Sequence, residues 1–197
     1  MNTAEILHRK FNPRSDQIPP IRIKGFKRKH LAGLFHELGF KVGAEIGVAQ
    51  GYYSRAICEA NPGVKLYCVD LWDEYYRGST RLKDRAMQDE AFLEACKNLA
   101  PYNVELIRAA SMEAVRTFEG ELDFVYIDGD HSFDYVMSDL IWWSRKVKSG
   151  GIVSLHDAYR FRGAGVVDAV STYTHCHKIS EWFICDEREK SVFWVKP

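Results

Sequence analysis

The stretch VGAEIGVAQGYYSRAICEA, residues 42–60, decides the fold. Val42–Ala49 reads as a strand of small and β-branched residues, and Tyr52–Ala60 as the helix behind it. KLYCVDL at 65–71 returns as a second apolar strand. Strand, helix and strand in that order make a parallel pair joined by a right-handed crossover. Downstream the rhythm repeats. Met87–Leu99 is a helix with Ala91, Phe92, Ala95 and Leu99 on one face, and Val104–Ala109 is a strand. Ser111–Phe118 (helix), Leu122–Ile127 (strand), Asp134–Val147 (helix), Gly151–Leu155 (strand) and Val166–Thr174 (helix) follow. The strands are continuous apolar runs, as in sheets covered on both faces. Ile179–Cys185 and Ser191–Val195 are also strand-like, but residues 186–190 are too few for a crossover helix, so these two pair antiparallel. The predicted fold is therefore α/β: a doubly wound, mostly parallel seven-stranded sheet that closes in a C-terminal antiparallel hairpin. Upstream, Lys29–Leu38 reads as a helix and residues 12–26 as irregular chain. This divides the sequence into an N-terminal extension, 1–28, and one domain, 29–197.

Composition narrows the function classes. A chain of 197 residues that is 46% hydrophobic and 13% aromatic is not a disordered one. Its apolar runs fall short of the roughly 18–20 residues of a membrane span, and its start lacks the apolar core of a secretory signal. Five cysteines, odd in number and without a CxxC pair, fit a reduced cytoplasmic chain. The run His175-Cys176-His177 lacks the further ligands a zinc site needs. Lys plus Arg equals Asp plus Glu at 27 each, which argues against a dedicated nucleic-acid binder. The balance conceals an asymmetry: residues 1–41 carry +6 and the remainder −6.

In doubly wound sheets ligands bind beyond the carboxyl ends of the strands. The first end is Glu45-Ile46-Gly47-Val48-Ala49-Gln50-Gly51, where Gly47 and Gly51 permit a tight turn ahead of a helix N-terminus. Its spacing is not G-x-G-x-x-G, and an acid two positions before the first glycine suits a cation such as an ammonium better than a pyrophosphate. The second end carries Asp70, placed for ribose hydroxyls, with Leu71 and Trp72 beside it to wall an adenine. The third carries Ser111, equally suited to an adenine contact or a helix cap. The fourth concentrates Asp128, Asp130 and His131 within four residues. The fifth adds His156 and Asp157. Neighbouring strand ends lie about 5 Å apart, so Asp128, His156 and Asp157 can converge on one Mg²⁺ or Mn²⁺ ion, with His131 beside it as a general base. Helix caps that bind nothing are the alternative.

EIGVAQG, VDLW, YIDGDHSFD and GGIVSLHD, in that order and followed by the hairpin, resemble the class I S-adenosylmethionine-dependent methyltransferases over about residues 30–197. More narrowly they are similar to the small bacterial group called methyltransferase family 24. The resemblance implies that Glu45, Gly47 and Gly51 hold the methionine part of the cofactor. It gives Asp70 the ribose, Leu71 and Ser111 the adenine, and Asp128 a place near the methionine end. In the related catechol-type enzymes the fourth-strand aspartate and acids after the fifth strand bind a divalent metal; here those positions are Asp128 and His156-Asp157. His131 stands where those enzymes have a catalytic lysine. The implied activity is O-methylation of a small-molecule hydroxyl, a sugar or a phenol, assisted by a metal. The alternatives are a metal-independent transfer to an N or O acceptor and a cofactor-binding module without catalysis. A nucleic-acid acceptor is disfavoured by the lack of an N/D-P-P-Y-type tetrad. Residues 1–28, the 72–85 loop and the 159–165 loop would surround the acceptor, bringing Tyr75, Tyr76, Arg77, Arg81, Tyr159, Arg160, Phe161 and Arg162. Trp142 and Trp143 read as helix packing. The basic N-terminal region would cover the acceptor site or a second copy of the chain and favour an anionic acceptor.

Overall fold

The computed structural model describes residues 2–14, 16–73, 84–159 and 164–197. Helices α1 (Thr3–Phe11), α2 (Arg28–Glu37), α3 (Tyr52–Ala60), α4 (Arg85–Leu99), α5 (Ser111–Thr117), α6 (Phe133–Lys146) and α7 (Val166–Cys176) flank one eight-stranded sheet. Its strands are β1 (Ile21–Ile23), β2 (Val42–Ile46), β3 (Lys65–Asp70), β4 (Val104–Arg108), β5 (Leu122–Ile127), β6 (Val147–Leu155), β7 (Phe183–Cys185) and β8 (Val192–Val195). They run in the order β1-β7-β8-β6-β5-β2-β3-β4, with β8 alone reversed against its neighbours β6 and β7. The doubly wound sheet and its terminal hairpin are as the sequence predicts.

Strand β5 shows why both faces are covered. All six of its residues are buried; Phe124 and Tyr126 enter the cluster under α1–α4, and Val125 and Ile127 the cluster under α5–α7. Alternate side chains of a strand point to opposite faces, so a strand between two helical layers must be apolar throughout. Close packing fixes local identity as well. Phe35 of α2 stacks on Phe124 at 4.0 Å, and a Cβ at Gly43 would fall 2.1 Å from that ring.

Two elements differ from the sequence expectation. Residues 3–11 form a helix closed by a capping box, Asn2 accepting from the Glu5 amide and Glu5 from the Asn2 amide. Residues 21–23, expected as irregular chain, pair with β7 and make the eighth strand. Leu7, Ile21 and Phe26 are all buried in the main core. The basic residues of this region also find acids: Lys10 meets Glu37, Arg22 meets Asp186 and Arg28 meets Asp128. Leu7→Ala should therefore cost about 2–5 kcal/mol, as a fully buried leucine does. Urea titration measures it; a loss under about 0.5 kcal/mol would show that α1 is not docked. No helix among the described residues is long and apolar enough to cross a membrane, and all five cysteines are free.

Candidate active site

The site begins where four parallel strands stop in register. Ile46 pairs with Val69 and Ile127, and Ile127 with Leu155. The ladder runs one residue further: Gly47 N–H donates to Val69, Asp128 N–H to Ile46 and His156 N–H to Ile127, at 2.7–2.9 Å. Gly47, Asp128 and His156 thus form a row at the sheet edge. The approach is close enough to require glycine at 47, where φ is +88° and a Cβ would stand 2.2 Å from the Asp128 carbonyl oxygen. Three residues with side chains also hold positive φ along this edge, namely Ala49 (+49°), Trp72 (+44°) and Asp157 (+54°). Such strain persists only where the surrounding structure enforces it.

The turn after β2 is braced by Asp70. Its Oδ2 accepts from the amides of Val48 and Ala49, both at 2.8 Å, and its Oδ1 from Trp72 N–H at 3.1 Å. Trp72 departs from its expected place beside the adenine: it is fully buried, edge-on to Phe92, and its Nε1 donates to the Ala49 carbonyl. Glu45 is also buried, its carboxylate accepting from the Ser54 hydroxyl. Burial raises its carboxyl to about 8, against the lowering effect of Ser54. Gly51, at φ +78°, caps α3 without a side-chain bond and leaves the first amides of that helix open.

A cleft of about 600 Å³, open mouth included, lies over this edge. Gly47, Asp70 and Leu71 line it on one side, Ser111, Asp139 and Tyr135 on another, with Gly129 and Asp130 between strands β5 and α6. Ser111 is not a helix cap; Ala110 occupies that position. The Ser111 hydroxyl instead accepts from Trp143 Nε1 at 2.8 Å and donates to Asp139 Oδ1. Trp143 is fully buried, as expected of a packing residue, while Trp142 is half-exposed under Arg145.

Beside the cleft the acids and histidines meet. His131 Nε2 lies 3.2 Å from Asp157 Oδ2 and 3.6 Å from Asp128 Oδ1. His156 Nδ1 lies 3.3 Å from an oxygen of each acid. Arg28, at the start of α2, brings Nη1 within 3.3 Å of Asp128 Oδ2 and rests its guanidinium 4.7 Å over the Tyr53 ring. Burial opposes ionisation of Asp128, but hydrogen bonds from His131 and His156 and the Arg28 charge outweigh it and hold the carboxyl below its ordinary value. Burial likewise disfavours charge on His156, yet bonds to Asp128 and Asp157 raise its imidazole to about 9. His131 is raised for the same reason.

Among the described residues, the ligand atoms of Asp128, His131 and Asp157 gather within 4.8 Å of one another, the only grouping that could hold a metal ion. His156 stands behind them as a donor between the two acids. Two carboxylates and an imidazole fit Mg²⁺ or Mn²⁺ in donor chemistry, with the Arg28 contact to Asp128 in competition. Sequence reasoning missed Arg28 and Asp139, which reach the site from α2 and the middle of α6. Tyr75, Tyr76, Arg77, Arg81, Arg160, Phe161 and Arg162 lie outside the described residues.

No curated protein sequence matches the chain. Solved structures share the fold. An O-methyltransferase from Bacillus cereus, solved with S-adenosylhomocysteine, superposes with a TM-score of 0.64 at 14% identity, covering 98% of this chain and 89% of that one. A Staphylococcus aureus protein described as a caffeoyl-CoA O-methyltransferase gives 0.64 at 16% identity, with 98% and 91% covered. The O-methyltransferase NovP gives 0.61 at 16% identity, with 86% and 77% covered. The methyltransferase domain family matches residues 44–158, from the core of β2 to just past Asp157 and over more than half of the chain. That span contains the glycine turn, Asp70 and the acid–histidine cluster, and the chain belongs to the methyltransferase domain family, with the class I fold.

Proposed function

We propose that the protein is an S-adenosylmethionine-dependent O-methyltransferase acting on a small-molecule hydroxyl. The observation that carries this reading is the Asp128–His131–Asp157 cluster set against Gly47 at the floor of the cleft. The residues present fit the cofactor: a glycine turn with open helix amides, Asp70 facing the cleft, and an apolar slot between Ile46, Val69 and Leu71. Its binding to S-adenosylhomocysteine and the oxygen acceptor are both supported by the related O-methyltransferases.

When bound, the cofactor supplies an electrophilic methyl group, and a divalent ion held by the carboxylates of Asp128 and Asp157 would acidify the acceptor hydroxyl, with His131 left free of the ion. The chain aligns the acceptor oxygen with the reacting carbon, an effect of orientation. His131, placed at the acids by the turn that Asp130 closes on the Ser132 amide, receives the hydroxyl proton at Nε2. A raised imidazole is the stronger base, though less of it is free at neutral pH.

Arg28 favours a second reading, transfer without a metal. Its guanidinium and the His156 imidazole already neutralise the two acids, leaving His131 as the base. Calorimetry with S-adenosylhomocysteine tests the shared part: binding at micromolar or tighter affinity is expected, and its absence would refute both readings. Methyl transfer to a panel of phenols and sugars in the presence of a chelator separates them. The metal-assisted form predicts at least a hundredfold loss restored by Mg²⁺ or Mn²⁺; the metal-free form predicts an unchanged rate. As parts of the same reading, we assign the basic N-terminal region a role in attracting an anionic acceptor and place the reaction in the cytoplasm.

A further inference from the structure

A second cavity, about 910 Å³ with its open mouth, is larger than the cleft beside Asp70 and has no part in either reading. It is a groove between α7 and the C-terminal hairpin. Val167, Val170 and Thr174 form the helix wall, at the i, i+3 and i+7 spacing of one face. Trp182 ahead of β7, Ile184 in β7 and Val192 in β8 form the opposite wall. Trp182 and Ile184 are only half-buried, although they pack against the same core as α7. The Thr174 hydroxyl is spent on the Val170 carbonyl at 2.8 Å and adds no free polar group. Among the described residues that line the groove, only His175 is ionisable. Half-buried apolar side chains gathered in a concavity mark a binding site.

One end of the groove adjoins the acid–histidine cluster. Ala158, which lines it, follows Asp157 directly, and its N–H donates to the Lys190 carbonyl ahead of β8. The helix wall starts from the cluster too. Gly165 caps α7 two residues before Val167, and its N–H donates to the His131 carbonyl at 2.7 Å. From Val167 to His175 the helix rises about 12 Å. Pro19 and Pro20 of the N-terminal extension join the lining. We propose that this groove holds the body of the methyl acceptor, a hydroxyl carried on an elongated apolar frame about two linked rings in length. The hydroxyl stands at Asp157 and His131, and the frame runs along α7. An anionic substituent belongs at the far end, by His175. This rests on the O-methyltransferase reading above and narrows its acceptor class, since a simple sugar or a single-ring phenol leaves most of the groove empty.

Calorimetry on the full chain saturated with S-adenosylhomocysteine compares 4-phenylphenol and 4-hexylphenol with phenol. One fitted methylene in an apolar pocket is worth about tenfold or more, so at least one of the longer phenols should bind at least tenfold tighter. Ser171 is exposed and lines the groove from α7, which makes it the place to block. Ser171→Trp should bring that phenol within threefold of phenol itself and leave the affinity for S-adenosylhomocysteine unchanged. Transfer of labelled methyl to the same compound should fall at least tenfold in kcat/KM. Preferences below threefold for both longer phenols overturn the proposal. So does a Ser171→Trp protein that binds or methylates them like the wild type, because the frame then lies elsewhere. If the wild type sediments as a dimer and Ser171→Trp as a monomer, the groove is a subunit interface and the proposal fails. If circular dichroism shows the variant unfolded, the wild-type ratios decide. A chain that does not bind S-adenosylhomocysteine defeats the cofactor reading and this one with it; binding of that compound without preference among the phenols overturns this proposal alone.

Discussion

Replacing Asp128 by asparagine is expected to reduce methyl transfer by about a hundred- to a thousandfold, the range for losing one preorganised electrostatic group. The side chain meets all three basic groups of the site. It faces Arg28 through Oδ2 at 3.3 Å and His156 and His131 through Oδ1 at 3.3 and 3.6 Å. Asparagine keeps the shape and removes the charge, leaving Asp157 alone among three basic groups. Both proposed forms of the reaction need that charge, one to hold an ion and the other to orient His131. Affinity for S-adenosylhomocysteine should change by less than about threefold, since the cleft walls are intact. Asp128→Ala is the less informative variant, because it also strands Arg28 beside a gap, and an uncompensated buried charge destabilises strongly. The measurement is transfer of labelled methyl to the panel acceptors beside calorimetry on the same protein. Rates within tenfold of the wild type would remove Asp128 from the reaction.

How much of this was legible in the sequence follows from which contacts are local. The parallel core was legible because a strand buried on both faces must be an unbroken apolar run, as Leu122–Ile127 is. The five strand ends were legible for a related reason: each is contiguous in sequence, and parallel strands place all their carboxyl ends together. What the chain hid is of two kinds. β1 has only three residues, too few for periodicity, and forms because Trp182 and β7 offer it a partner. The helix over Thr3–Phe11 did carry a local signal, Asn2 followed three residues later by Glu5, which a capping-box search finds. Arg28 and Asp139 are of the second kind. Arg28 belongs to a run of basic residues and Asp139 to a mixed helix, and only the tertiary arrangement sets one against Asp128 and the other against Ser111. Trp72 shows the converse error: adjacency to Asp70 suggested the ligand, but the positive φ at Trp72 turns its ring into the core.

Gly47→Ala should be far more damaging than Gly63→Ala, although the two glycines share a conformation. Gly63 has φ +82° and Gly47 φ +88°, so either alanine pays the left-handed strain of about 1–2 kcal/mol. The surroundings differ. A Cβ at 63 meets nothing within 4 Å, whereas at 47 it stands 2.2 Å from the Asp128 oxygen, 2.5 Å from its carbonyl carbon and 2.7 Å from Gly129 Cα. All three atoms are backbone, so no rotamer change relieves the overlap, and the two loops must part. Overpacking of that kind adds about 1–3 kcal/mol. It also moves the amides of Val48 and Ala49 off Asp70 and shifts Asp128 against His131, so one methyl group disturbs both the cofactor turn and the acid cluster. Urea unfolding should show the larger loss for Gly47→Ala, and affinity for S-adenosylhomocysteine should fall at least tenfold in that variant and remain unchanged in Gly63→Ala. Equal losses in the two would mean that backbone strain alone explains the glycine, and that the strand ends of β2 and β5 do not meet as closely as the site requires.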